Sequence, residues 1–75
     1  MNYVKIEYCV MWNYTPEFDR VSNIISSIDS AIDVSGNESK PRSGSFEVIV
    51  NGKLLFSKFK MGRFPNDAEI YSWFG

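Results

Sequence analysis

The chain has 75 residues, 44% hydrophobic and 16% aromatic, and its eight Lys and Arg against nine Asp and Glu give a formal net charge of -1. That length limits it to one small domain, expected over residues 1–75 with a thin folding margin, and the aromatic load argues for a packed core rather than disorder. Lys53, Lys58, Lys60 and Arg63 form a mildly basic stretch, either a solvated face or a patch for an anionic partner, but nothing resembles a nucleic-acid stripe and no nucleic-acid partner is expected. With no apolar run of membrane-spanning length and no signal-peptide core, neither a membrane partner nor export is expected, and a cytoplasmic protein is.

Tyr3 to Tyr8 alternates, with Val4, Ile6 and Tyr8 on one face and Tyr3, Lys5 and Glu7 on the other. That is the pattern of a half-buried strand. Thr15-Pro16 then predicts a helix start, with Thr15 as N-cap and Pro16 at the first helical position, where a missing N–H costs nothing. Glu17 and Asp19 fall where the helix dipole favours carboxylates. Phe18, Val21, Ile25, Ile28 and Ile32 recur at helical spacing. Serine-rich and β-branched, this helix has weak intrinsic propensity and depends on burial.

Ile32 to Ser35 predicts a short strand, and the polar stretch from Gly36 to Gly44 a loop. Phe46–Val50 and Leu54–Phe59 flank Asn51-Gly52, and an Asn-Gly pair between two β-rich runs is a strong hairpin signal, because both turn positions need positive φ. Leu54 and Phe56 are expected on one face, with Leu55 and Phe59 on the other. Asn66 and Glu69 have capping-box spacing for a last helix, with Ile70, Trp73 and Phe74 on its apolar side and the chain ending at Gly75. The order strand, helix, strand, hairpin, helix reads as an α/β two-layer sandwich: a four-stranded mixed sheet with helices on one face. The other sheet face would be bare, and it is not clearly polar.

Little chemistry is on offer. Histidine is absent, which removes most hydrolase designs and the common zinc sites, and the single cysteine cannot hold zinc alone. No metal and no resident cofactor are expected. Cys9 stands where the first strand gives way to the helix, either as a reactive thiol or as a small buried hydrophobe. Met11, Trp12 and Tyr14 share its loop. Met11 and Trp12 either form an exposed apolar knob for a partner, or Trp12 folds back over Tyr8 or Phe18. Arg63 is either solvated or faces an acidic group.

Four pieces, in order, carry a family likeness: Tyr8-Cys9 followed by Tyr14 and Pro16; Gly44-Ser45-Phe46-Glu47-Val48; Asn51-Gly52-Lys53-Leu54 with Phe56-Ser57-Lys58; and Gly62-Arg63-Phe64-Pro65 leading to Glu69. Together they resemble the selenoprotein W family, also called the Rdx or SelT/SelW/SelH group, of thioredoxin-like fold. The family's characteristic site is a Cys-x-x-Cys or Cys-x-x-selenocysteine pair after the first strand. Cys9 matches the first position of that pair, and Trp12 stands at the second. The resemblance implies a thioredoxin-like fold and a thiol-redox role with glutathione or a protein thiol, with Arg63 a candidate for the glutathione carboxylate. The missing second thiol opens another reading: a non-enzymatic protein-binding domain that kept the scaffold. Oligomeric state is not readable from the sequence.

Overall fold

The computed structural model describes residues 2–37 and 39–74; Glu38, within the expected loop, and Gly75 lie outside them. Seven elements follow in chain order: β1 (Tyr3–Tyr8), α1 (Thr15–Ile28), β2 (Asp33–Ser35), β3 (Phe46–Val50), β4 (Lys53–Ser57), α2 (Lys58–Met61) and α3 (Asp67–Ser72). The strands form one four-stranded mixed sheet in the order β2-β1-β3-β4. β1 runs parallel to β2 and antiparallel to β3, and the β3–β4 hairpin is antiparallel.

Alternation decides which face is buried. Val4, Ile6 and Tyr8 pair with Val50, Val48 and Phe46, so six apolar side chains point to one side. Against them pack Val21 and Ile25 of α1, Ile70 of α3, and Ile32. All of these are buried except Tyr8, which is half-buried. Tyr8 and Phe18 stack at 4.5 Å, joining β1 to the first turns of α1.

Arg20 ties the two helices together: its guanidinium donates to Glu17 on its own helix, to Asp67 at 2.9 Å, and to the Pro65 carbonyl at 2.5 Å. At the other end of the hairpin, Asn51 (φ 51°) and Gly52 (φ 83°) supply the two left-handed positions that the tight turn needs. Asn51 also reaches back to β1, accepting from the Tyr3 N–H through its side-chain oxygen at 3.0 Å and donating its own N–H to the Tyr3 carbonyl at 3.0 Å.

Several boundaries differ from the sequence expectation, each for a physical reason. The N-cap of α1 is Tyr14 rather than Thr15, and no side chain caps the helix. The helix stops at Ile28, short of Ile32. Asp29 adopts an extended backbone, and its carboxylate accepts from the Ala31 N–H at 2.9 Å. That local bond competes with the helical ladder. Ile32 still reaches the core, but from the turn leading to β2.

The second hairpin strand ends at Ser57 rather than Phe59. Glu47, across the hairpin, accepts from Ser57 Oγ at 2.6 Å and from the Lys58 N–H at 3.0 Å. Its carboxylate thereby receives the first free amide of the short α2 turn, which Gly62 (φ 71°) closes. The register also shifts: Val48 faces Phe56 while Ile49 faces Leu54, so Leu55 is an extra, bulged residue. Leu54 and Phe56 therefore lie on opposite faces, not together. The expected capping box is present, with Asn66 accepting from the Glu69 N–H and Glu69 from the Asn66 N–H, each at 2.9 Å.

Candidate functional site

β1, an interior strand, delivers Cys9 to the end of the sheet, one residue past Tyr8. The Cys9 N–H donates to the Ser45 carbonyl at 2.9 Å, which continues the β1–β3 register by one pair and sets Cys9 opposite Ser45. Both then belong to the face away from the helices, beside Glu7 and Glu47, which are themselves cross-strand partners. The loop that follows is closed by two backbone bonds: Asn13 N–H to the Val10 carbonyl at 2.9 Å, and Tyr14 N–H to the Cys9 carbonyl at 3.1 Å. Asn13, at φ 60°, takes the left-handed corner.

Cys9 is a free cysteine, 2% exposed. It borders an open pocket of about 440 Å³, with Val10 and Met11 on one side and Lys40, Pro41 and Ser43 on the other. Lys40 thus lines the pocket that Cys9 borders, although no basic residue lies within three positions of Cys9 in the sequence. The Ser45 hydroxyl is buried and makes no hydrogen bond of full geometry among the described residues, though, with Arg42, its nearness to Glu7 helps lower that carboxyl's pKa.

The candidate residues divide. Met11 (86% exposed) and Trp12 (56% exposed) project from the loop beside Cys9. The Trp12 ring meets Tyr14 edge-on at 6.2 Å. It also covers Gly44, where an added Cβ would stand 2.9 Å from the indole. Trp12 therefore neither stands free nor caps Tyr8 and Phe18.

Tyr14 turns inward and meets Phe64 edge-on at 4.8 Å; Phe64 in turn meets Phe46 at 5.2 Å. The Lys58 ammonium lies 5.5 Å from both the Tyr14 and Phe64 ring centres. Arg63 is engaged elsewhere. It forks onto Glu69 at 2.6 and 3.1 Å, which raises its pKa and holds the Glu69 carboxyl below its ordinary value.

The face around Cys9 also contains a charge cluster that sequence reading missed. The Arg42 guanidinium donates to Glu7 Oε1 at 2.9 Å and Oε2 at 3.0 Å, and the Arg42 N–H adds a bond at 2.7 Å. The same guanidinium lies 3.5 Å from Glu47 Oε1 and 5.1 Å from the Phe59 ring centre. Bonds from the Arg42 side chain hold the Glu7 carboxyl below its ordinary value, against the opposing effect of burial. Arg42 is 35 residues from Glu7, and nothing in local spacing pairs them.

These features describe a thioredoxin-like α/β protein with a single thiol at the end of its first strand. The chain belongs to the Rdx family, whose model matches residues 3–73. Two solved structures share the fold. One is the selenoprotein W-related protein from Vibrio cholerae, 22% identical, with a TM-score of 0.80 over 95% of this chain and 89% of that one. The other, from Bordetella parapertussis, is 19% identical, with a TM-score of 0.81 over 95% and 90%. A SelT-like protein from Arabidopsis thaliana is 61% identical over 28 residues, which are 37% of this chain and 13% of that protein. The aligned part is therefore a small fraction of that curated relative. Among the described residues, no helix is long and apolar enough to cross a membrane.

Proposed function

We propose that this protein takes part in thiol–disulfide exchange through Cys9 alone, forming a mixed disulfide with glutathione or a protein thiol. The observation that carries the reading is Cys9 itself, held at the end of β1 beside a pocket large enough for part of a small disulfide. Membership of the Rdx family supports it.

The Cys9 thiolate attacks one sulfur of a disulfide R–S–S–R′, forming Cys9–S–S–R and releasing R′–S⁻. With no second cysteine in the chain, an outside thiol must finish the cycle. Its thiolate attacks the R sulfur and restores the Cys9 thiolate. The cycle therefore moves the disulfide onto the outside thiol R″–SH, giving R–S–S–R″, so one thiol is oxidised as R′–S⁻ is released and Cys9 ends unchanged. A reducing cytoplasmic setting suits this chemistry, since glutathione there supplies the resolving thiol.

The test is to incubate reduced, folded protein with oxidised glutathione and follow intact mass. One glutathionyl adduct is expected, absent in Cys9→Ser and removed by reduced glutathione. An adduct that forms only in urea would overturn the reading. A second reading, a non-enzymatic protein-binding domain, draws on Val10, Met11 and Trp12, three consecutive exposed apolar residues. Exposed aromatic anchors of this kind contribute disproportionately to interfaces.

A further inference from the structure

Cys9 is nearly inaccessible, yet one wall of its surroundings is not part of the regular fold. Lys40, Pro41 and Ser43 supply that wall, and they belong to Ser39–Gly44, a segment without helix or strand that lies between β2 and β3. Ser39, Lys40, Arg42 and Ser43 are exposed, so the segment contributes little to the hydrophobic core.

Besides the Arg42 N–H bond to Glu7 at 2.7 Å and the Ser45 N–H bond to the Arg42 carbonyl at 3.1 Å, two side chains hold it. Arg42, in mid-segment, forks onto Glu7 and reaches Glu47. Those two carboxylates face each other across the β1–β3 pair. Like charges so placed repel, and Arg42 is the cation between them. At the far end, Trp12 covers Gly44, whose φ of 74° turns the chain into β3.

From this arrangement we propose that Ser39–Gly44 is a strap that gates Cys9, latched by Arg42 on the Glu7–Glu47 pair. Opening the latch is a local event that exposes the thiol while the sheet and helices stay folded. Arg42 is exposed and Glu7 partly so, while Glu47 is buried, so salt weakens chiefly the Arg42–Glu7 part of the latch. The strap governs which disulfide reaches the thiol proposed above, but access is a property of Cys9 whether or not it exchanges disulfides.

The experiment is the rate of Cys9 alkylation by iodoacetamide, a neutral reagent, in folded protein. Each rate is divided by that of urea-unfolded protein at the same salt. Arg42→Ala is expected to react about three- to tenfold faster than the native chain, and Arg42→Lys to fall between, keeping the charge but losing the fork. About 1 M sodium chloride, where the screening length is about 3 Å, is expected to accelerate the native chain but not Arg42→Ala.

Equal rates in the native chain and Arg42→Ala overturn the proposal. So does an acceleration no larger than the rise in globally unfolded fraction from urea denaturation. If Arg42→Ala fails to fold, the salt series on the native chain decides alone, and a flat series overturns the gate. A gated thiol that refuses oxidised glutathione would remove the proposed function and leave the strap standing. An ungated thiol that accepts it would do the reverse.

Discussion

Gly44 is the position where one residue's backbone and another's side chain constrain each other most. Its φ of 74° strains any residue with a Cβ. The Trp12 indole also fills the space that a Cβ would need. Gly44→Ala is therefore expected to destabilise the fold by about 1–2 kcal/mol. A lowered urea midpoint with a changed tryptophan emission spectrum would register it, and an unchanged midpoint would contradict the account. Trp12 thus has a structural duty at the position where the resemblance places a second redox residue. A bulky ring there can hold the start of β3 in place, which a small thiol could not do in the same way.

At the scale of elements, carboxylates organise the joins. Glu47, 4% exposed, ends β4 and begins α2. Glu69 completes the box of α3 and takes the Arg63 fork, and Glu7 takes Arg42. The Glu7 and Glu69 carboxyls are both held below their ordinary values by these partners. A depressed folded pKa stabilises the fold above the unfolded value, and that stabilisation is lost as pH falls through the folded value. With an unfolded glutamate near about 4.3, the loss begins there and grows with further acid. Urea midpoints from pH 7 downward should fall in this range. Glu69→Gln should flatten the fall, because glutamine has no proton to gain; an acid slope identical to that of the native chain would count against the assignment.

The whole molecule rests on a thin core between one sheet face and two helices. A chain of 75 residues has a total stability on the order of 4–11 kcal/mol at the usual per-residue scale. Ile70, fully buried, is the α3 residue in that core. Ile70→Ala is expected to cost about 2–5 kcal/mol, a large share of the total. Chemical denaturation would show either a sharply lowered midpoint or a population already unfolded in buffer. A loss below about 1 kcal/mol would mean that α3 is not integral to the core.

The sequence by itself determined what depends on neighbours along the chain. Alternation over Tyr3–Tyr8 predicted β1, Asn51-Gly52 the hairpin turn, and Asn66 with Glu69 the last cap; all three are present. The family's motifs placed Cys9 at the end of a strand in a thioredoxin-like fold. Short-range signals of this kind survive folding because turn dihedrals, caps and side-chain period are local constraints. Only the tertiary structure decided what depends on contacts between distant residues. Local spacing gave no sign that Glu47 would end β4 early, or that a bulge would send Leu54 and Phe56 to opposite faces. It also could not show that the Ser39–Gly44 segment would be drawn by Arg42 onto the sheet face expected to be bare, or that Lys40 and Pro41 would arrive beside Cys9. Those outcomes depend on which side chains the sheet register brings within hydrogen-bonding reach, and a register is fixed only when the strands pair.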